Sequence, residues 1–117
     1  LAMLAWMGFN YLRIRRAAKI VDNEEFEALI RTGQLIDLRD PAEFHRKHIL
    51  GARNIPSSQL KTSLAALRKD KPVILYENQR AQRVTNAALY LKKQGFSEIY
   101  ILSYGLDSWK GKVKVEK

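Results

Sequence analysis

Hydrophobic and polar positions change period several times along this chain, and each change marks an element. "KIVD" (Lys19 to Asp22) predicts a short strand running into a helix cap. Asp22 with Glu25 three positions on is a capping-box-like pair, with Asp in place of the usual Ser or Thr. Phe26, Leu29 and Ile30 fall on one helical face, and Gly33 stops that helix. "QLIDL" (Gln34 to Leu38) predicts a second strand. "RDPAEFHRKHILGARNIP" reads as a long loop, with one helical turn after Pro41 and a short strand at "RNIP". Ser57 or Ser58 is expected to cap a helix reaching about Arg68, striped by Leu60, Leu64 and Leu67. "PVILY" is the third clear strand, apolar throughout, as a parallel strand covered on both faces requires. A helix from about Gln82 to Gln94 carries Val84, Ala87, Ala88 and Leu91, and Gly95 ends it. "SEIYILS" (Ser97 to Ser103) is the last strand, "YGLDSW" turns into a short helix, and "KGKVKVEK" reads as a charged tail. Strands alternating with helices predict an α/β domain with a mostly parallel sheet.

Composition narrows this picture. The 117 residues, 46% of them apolar, suit one domain with a modest core. The expected boundaries are 1–18 for an N-terminal segment, 19–112 for the domain and 113–117 for the tail. "LAMLAWMGFNYL" is almost wholly apolar, includes Trp6 and Tyr11, and is followed by Arg13, Arg15, Arg16 and Lys19. Twelve such residues are short of the about 20 that span a bilayer, but aromatics followed by clustered cations fit the end of a membrane anchor. The expected placement is therefore a membrane-anchored chain with its domain on the cytoplasmic side. The formal charge of +9 favours acidic partners, and these four cations account for part of it. No stacking aromatics are interleaved with the basic residues, so nucleic acid is not an expected partner. There is no cysteine, which removes disulfides, thiolate metal sites and thiol nucleophiles together.

Two stretches carry a family resemblance. "LIDLRDPAEFHRKHILGARNIP" contributes Asp37, Arg39, Glu43, Phe44, His48, Ile49, Gly51, Ala52, Asn54, Ile55 and Pro56. The later strand, loop and helix, with Gly105 and Trp109, contribute the rest. Together they resemble a rhodanese-like domain of the sulfurtransferase superfamily, in its membrane-anchored bacterial type, over roughly Ile20 to Lys112. The resemblance implies a three-layer sandwich: a five-stranded, mostly parallel sheet with helices on both faces. It also implies an active-site loop after a central strand, with backbone N–H groups pointing inward at a helix N-terminus.

In active members the residue after that strand is the cysteine that carries sulfur as a persulfide. Here it is Glu77, which cannot do so. From Glu77 to Arg83 the loop "ENQRAQR" has seven residues. The family's sulfurtransferases usually carry six, whereas its phosphatases and arsenate reductases carry seven in a Cys-x5-Arg pattern. This chain reads Glu-x5-Arg, with Arg83 at the phosphate-binding arginine. The candidate anion-binding loop is therefore Glu77, Asn78, Gln79, Arg80, Ala81, Gln82 and Arg83. A nest of amides at a helix start favours any anion, including Glu77 itself, with Arg80 or Arg83 as countercharge. Three roles for Glu77 stay open: a built-in structural anion, which is favoured, part of a binding site, or a catalytic group.

Asp37 and Arg39 form a possible pocket wall. Their simpler reading is local, with Asp37 or Asp40 capping the next turn and Arg39 pairing with Glu43. The resemblance gives His48 a structural role, and His45 is expected to be exposed. No metal site is expected from two histidines without a third ligand, and no cofactor is expected. Tyr104 and Trp109 are expected to pack over the end of the domain. The expected function is a binding or regulatory module that is inactive as a sulfurtransferase. Its partners would be a membrane through the N-terminal segment and a phosphate- or sulfate-like anion or an acidic protein at the loop. The alternative is a sulfurtransferase-family or phosphatase/arsenate-reductase-like enzyme using the Glu77–Arg83 loop.

Overall fold

The computed structural model describes residues 3–5, 18–78, 82–103 and 105–115, with Gln82 described by its backbone alone. The expected anchor residues Trp6, Tyr11, Arg13, Arg15 and Arg16 lie outside the described residues, as do Gln79, Arg80, Ala81 and Tyr104. No helix among the described residues is long and apolar enough to cross a membrane.

Strands β1 (Lys19–Val21), β2 (Gln34–Asp37), β4 (Arg53–Asn54), β5 (Val73–Tyr76) and β6 (Ile99–Leu102) form one sheet in the order β1-β6-β5-β2-β4. Every pairing in it is parallel. The central strand β5 is buried along its whole length. Its residues alternate between two cores, as a strand with period two must when both faces are covered. Val73 and Leu75 enter a cluster with Val84, Ala88 and Leu91 of α3 (Gln82–Lys93). Ile74 and Tyr76 enter a second cluster with Phe26 of α1 (Asn23–Ile30) and Trp109. The two helices therefore cover opposite faces, which gives the three layers expected.

Local signals explain most boundaries. The Asp22 side chain accepts the Glu25 N–H at 2.9 Å and caps α1. Helix α2 (Pro41–Arg46) starts with proline, whose missing N–H costs nothing there. Trp109 stands edge-on to Phe26 with ring centroids 5.6 Å apart, so it does pack at the end of the domain.

Two expectations fail. The helix foreseen from Ser57 or Ser58 to Arg68 is instead two 3-10 segments, Ser57–Gln59 and Lys61–Ala66, and neither serine side chain caps them. Leu60, Ser63 and Leu67 donate their N–H groups three residues back, which still buries Leu60 and Leu67. The charged tail is also not simply solvated. Val113–Val115 forms β7, antiparallel to β3 (Lys47–Ile49), in a separate two-stranded sheet. Its alternation of valine with lysine is a strand pattern, with Val113 turned inward over Ile49 and Lys114 outward.

Candidate functional site

The carboxyl ends of β2 and β5 lie side by side, with Asp37 paired to Tyr76 in register. Ligands of open α/β sheets bind beyond such ends. Three buried groups meet there. Asp37 is fully buried and Arg39 is 5% exposed, so neither charge is solvated. The Arg39 Nε lies 3.1 and 3.2 Å from the two Asp37 carboxylate oxygens, and Nη2 donates to Oδ2 at 2.8 Å. Asp37 also accepts the Arg39 backbone N–H at 2.9 Å, so it does cap its own turn. Burial opposes the Arg39 charge, but hydrogen bonding and attraction to Asp37 outweigh it and raise the pKa.

The expected Arg39–Glu43 pair does not form, because Asn78 stands between them. Arg39 Nη1 donates to Asn78 Oδ1 at 2.9 Å, and Asn78 Nδ2 donates to Glu43 Oε2 at 2.8 Å. Arg39 Nη2 also reaches the Lys47 carbonyl. The guanidinium thus ties the strand end, the loop and α2 together. Asn54 adds to this corner by donating to the Arg39 carbonyl at 2.9 Å. Among the described residues, no buried side-chain polar atom lacks a partner.

Tyr76 was not foreseen as part of the site. Its hydroxyl accepts the Ile49 N–H at 3.0 Å and bonds to Asp37. It is the one polar tip in an otherwise apolar strand, and that was the available signal. Burial first, then the Asp37 charge and hydrogen bond, push this hydroxyl well above its ordinary value. In the unfolded chain a tyrosine ionises near pH ~10. The folded chain holds its proton to higher pH. The contribution is therefore complete below that value and is lost as pH rises above it. Urea titrations at about pH 9 and pH 11 should show a loss of stability that Tyr76→Phe reduces. At neutral pH that variant should cost about 1–3 kcal/mol, because the Ile49 amide loses its partner.

Glu77 follows β5 and is 7% exposed. Its Oε2 accepts the Val84 N–H, in the first turn of α3, at 2.9 Å. The opening N–H groups of a helix have no partner within it, and an anion there is worth about 0.3–1 kcal/mol. The main chain is held from another side. Leu106 N–H donates to the Glu77 carbonyl at 2.8 Å, and Asp107 N–H donates to the Asn78 carbonyl at 3.0 Å. Gly105, with φ of +70°, lets this turn come so close.

Of the remaining loop residues, Gln79, Arg80 and Ala81 lie outside the described residues, and Gln82 is described by its backbone only. Arg83 is exposed, makes no ion pair with Glu77, and lines a groove with Lys61 and Tyr90. The other wall residue, Arg39, borders a cavity of about 430 Å³ that opens between α2, Asn78 and Asp107, whereas Asp37 does not line it. That cavity mixes the cations Arg46 and Lys47 with the acids Glu43 and Asp107.

His48 is buried, stacks on Phe44 with centroids 3.8 Å apart, and places Nδ1 2.7 Å from the Phe44 carbonyl. A carbonyl only accepts, so Nδ1 carries the proton. His48 thus braces the corner between α2 and β3, and His45 is exposed. The described residues contain no cluster of three or more groups suited to a metal.

The chain is similar to known proteins. Over 116 residues the chain is 47% identical to the uncharacterized protein YqhL of Bacillus subtilis, covering 99% of this chain and 91% of that one. It is 37% identical over 95 residues to the thiosulfate sulfurtransferase GlpE of Stutzerimonas stutzeri, covering 79% of this chain and 84% of that one. The crystal structure of a rhodanese-related protein from Thermoplasma volcanium superposes with a TM-score of 0.74 at 25% identity, over 84% of this chain and 99% of that one. The rhodanese-like domain profile matches residues 22–112, which include both ends of the Asp37–Arg39–Asn78 network and the Gly105 turn. With that span matched, and with a relative 37% identical over most of both chains, the chain belongs to the rhodanese-like domain family.

Proposed function

We propose that this chain is a rhodanese-like module that does not transfer sulfur and that acts by binding, with the Glu77 loop as its recognition surface. The observation that carries this reading is the 2.9 Å bond from the Val84 N–H to the Glu77 carboxylate. Sulfur transfer in the family needs a thiolate after the central strand, held at a helix start. Here the same place holds a carboxylate already spent on the helix, and the sequence offers no cysteine as a substitute. The loop's ligand would be a phosphate- or sulfate-like anion or an acidic protein that competes with Glu77 for these amides.

The apolar start and the cations Arg13, Arg15, Arg16 and Lys19 support a membrane anchor with the domain on the cytoplasmic side. The Glu-x5-Arg spacing is the sole support for a phosphatase- or arsenate-reductase-type enzyme. The exposed Arg83, unpaired with Glu77, argues against it.

A thiosulfate:cyanide sulfurtransferase assay on the full chain tests the central claim. The expected result is no thiocyanate formation above a Glu77→Ala control, and turnover above that control overturns the reading. Glu77→Ala should also free the Val84 amide and gain affinity for sulfate, read from that amide's NMR shift. Equal sulfate affinity in the two proteins rejects self-capping.

A further inference from the structure

A second groove lies beside the loop and shares Arg83 with it, between α3 and the 3-10 segments. Arg83, Asn86, Ala87 and Tyr90 recur at helical spacing and form one wall, while Leu60 and Lys61 form the other. Its floor is apolar, because Leu60 and Ala87 are buried and Tyr90 is half-buried. Its rim is cationic. Lys61 Nζ sits 5.7 Å from the Tyr90 ring centroid, and Arg83 stands in the first turn of α3, where a cation opposes the helix dipole. Among the described residues, no carboxylate lines the groove and the ion pairs use neither cation. Two positive charges over an apolar floor complement an anion attached to an apolar body. The volume, about 320 Å³, is at the lower end for organic-ligand sites and far exceeds what a bare ion fills.

We propose that this groove binds a small organic phosphate or sulfate ester, its charged group between Lys61 and Arg83 and its apolar body on Tyr90, Leu60 and Ala87. This goes beyond the reading of the Glu77 loop: it shares Arg83 with that loop but does not rest on the bond between Glu77 and the Val84 amide.

NMR titration of the full chain with phenyl phosphate, inorganic phosphate and phenol tests the proposal. Phenyl phosphate should shift the amides of Lys61, Arg83 and Tyr90 and bind about tenfold more tightly than either fragment. Lys61→Met and Arg83→Gln should each weaken it by about tenfold. Both side chains are exposed, so thermal melting should stay unchanged and separate lost binding from lost folding. Equal affinity for inorganic phosphate would mark a bare anion site and overturn the proposal. So would shifts confined to Asn78 and Val84, or no shift at millimolar phenyl phosphate. None of these outcomes bears on the sulfurtransferase assay, so this proposal and the claim that the chain transfers no sulfur fail separately.

Discussion

Gly105→Ala is expected to destabilise the domain by about 3 kcal/mol or more, or about 12 °C in Tm at roughly 4 °C per kcal/mol. Two costs combine. The backbone there has φ of +70° and ψ of −168°, a region open essentially to glycine alone, which costs an L-residue about 1–3 kcal/mol. In addition, a Cβ would sit 2.4 Å from the Asn78 carbonyl oxygen and 2.6 Å from that of Glu77. Those atoms are backbone, so relief requires moving the loop or breaking the bonds from Leu106 and Asp107. Gly51→Ala is the matched control. Its φ is +91° but nothing lies within 4 Å of the new Cβ, so only the backbone cost applies, about 1 kcal/mol. Urea unfolding of the two variants compares them directly. Equal losses would show that the close approach to the loop carries no energy.

Asp37→Ala is the second large effect, at about 3–5 kcal/mol. The substitution leaves the Arg39 guanidinium buried with its main countercharge gone, and the cost arises chiefly from that stranded charge. Adding Arg39→Met should therefore recover a substantial part of the loss. If the double variant is as unstable as the sum of the two single variants, the pair is not acting as a coupled unit. The single variant should also move Asn78, because Arg39 holds that side chain at 2.9 Å. Chemical shifts of the Asn78 side-chain amide read that displacement independently of stability.

These residues also show what the sequence makes legible. Val73–Tyr76 could be read as a doubly covered strand because both sets of alternate positions are apolar, and burial there needs no knowledge of partners. Glu77 stood out for a similar reason, since a carboxylate after such a strand and before a helix has a short menu of neighbours. The partner of Arg39 was not legible. Asp37 and Glu43 were both within reach in sequence, and the choice depends on a loop residue, Asn78, brought in by the sheet. The Ser57–Ala66 segments depart from the expected helix although Leu60, Leu64 and Leu67 share one face at a period of 3.6; the tighter 3-10 turns leave Leu64 only partly buried. The pairing of β7 with β3 is non-local, and lysines among the valines obscured a period-two pattern. The need for glycine at 105 comes from an approach between segments almost thirty residues apart.

The return of Val113–Val115 to pair with Lys47–Ile49 makes the end of the chain a tether. The run from Gly105 to Val115 starts on the Glu77 and Asn78 carbonyls and finishes against the strand that supplies the carbonyl of Lys47 to Arg39. Release of the last strand would remove a restraint from one end of that run and leave the loop's clamp to hold alone. The stretch is therefore expected to open as one unit with the loop, so that pulling on β7 should be felt at Glu77.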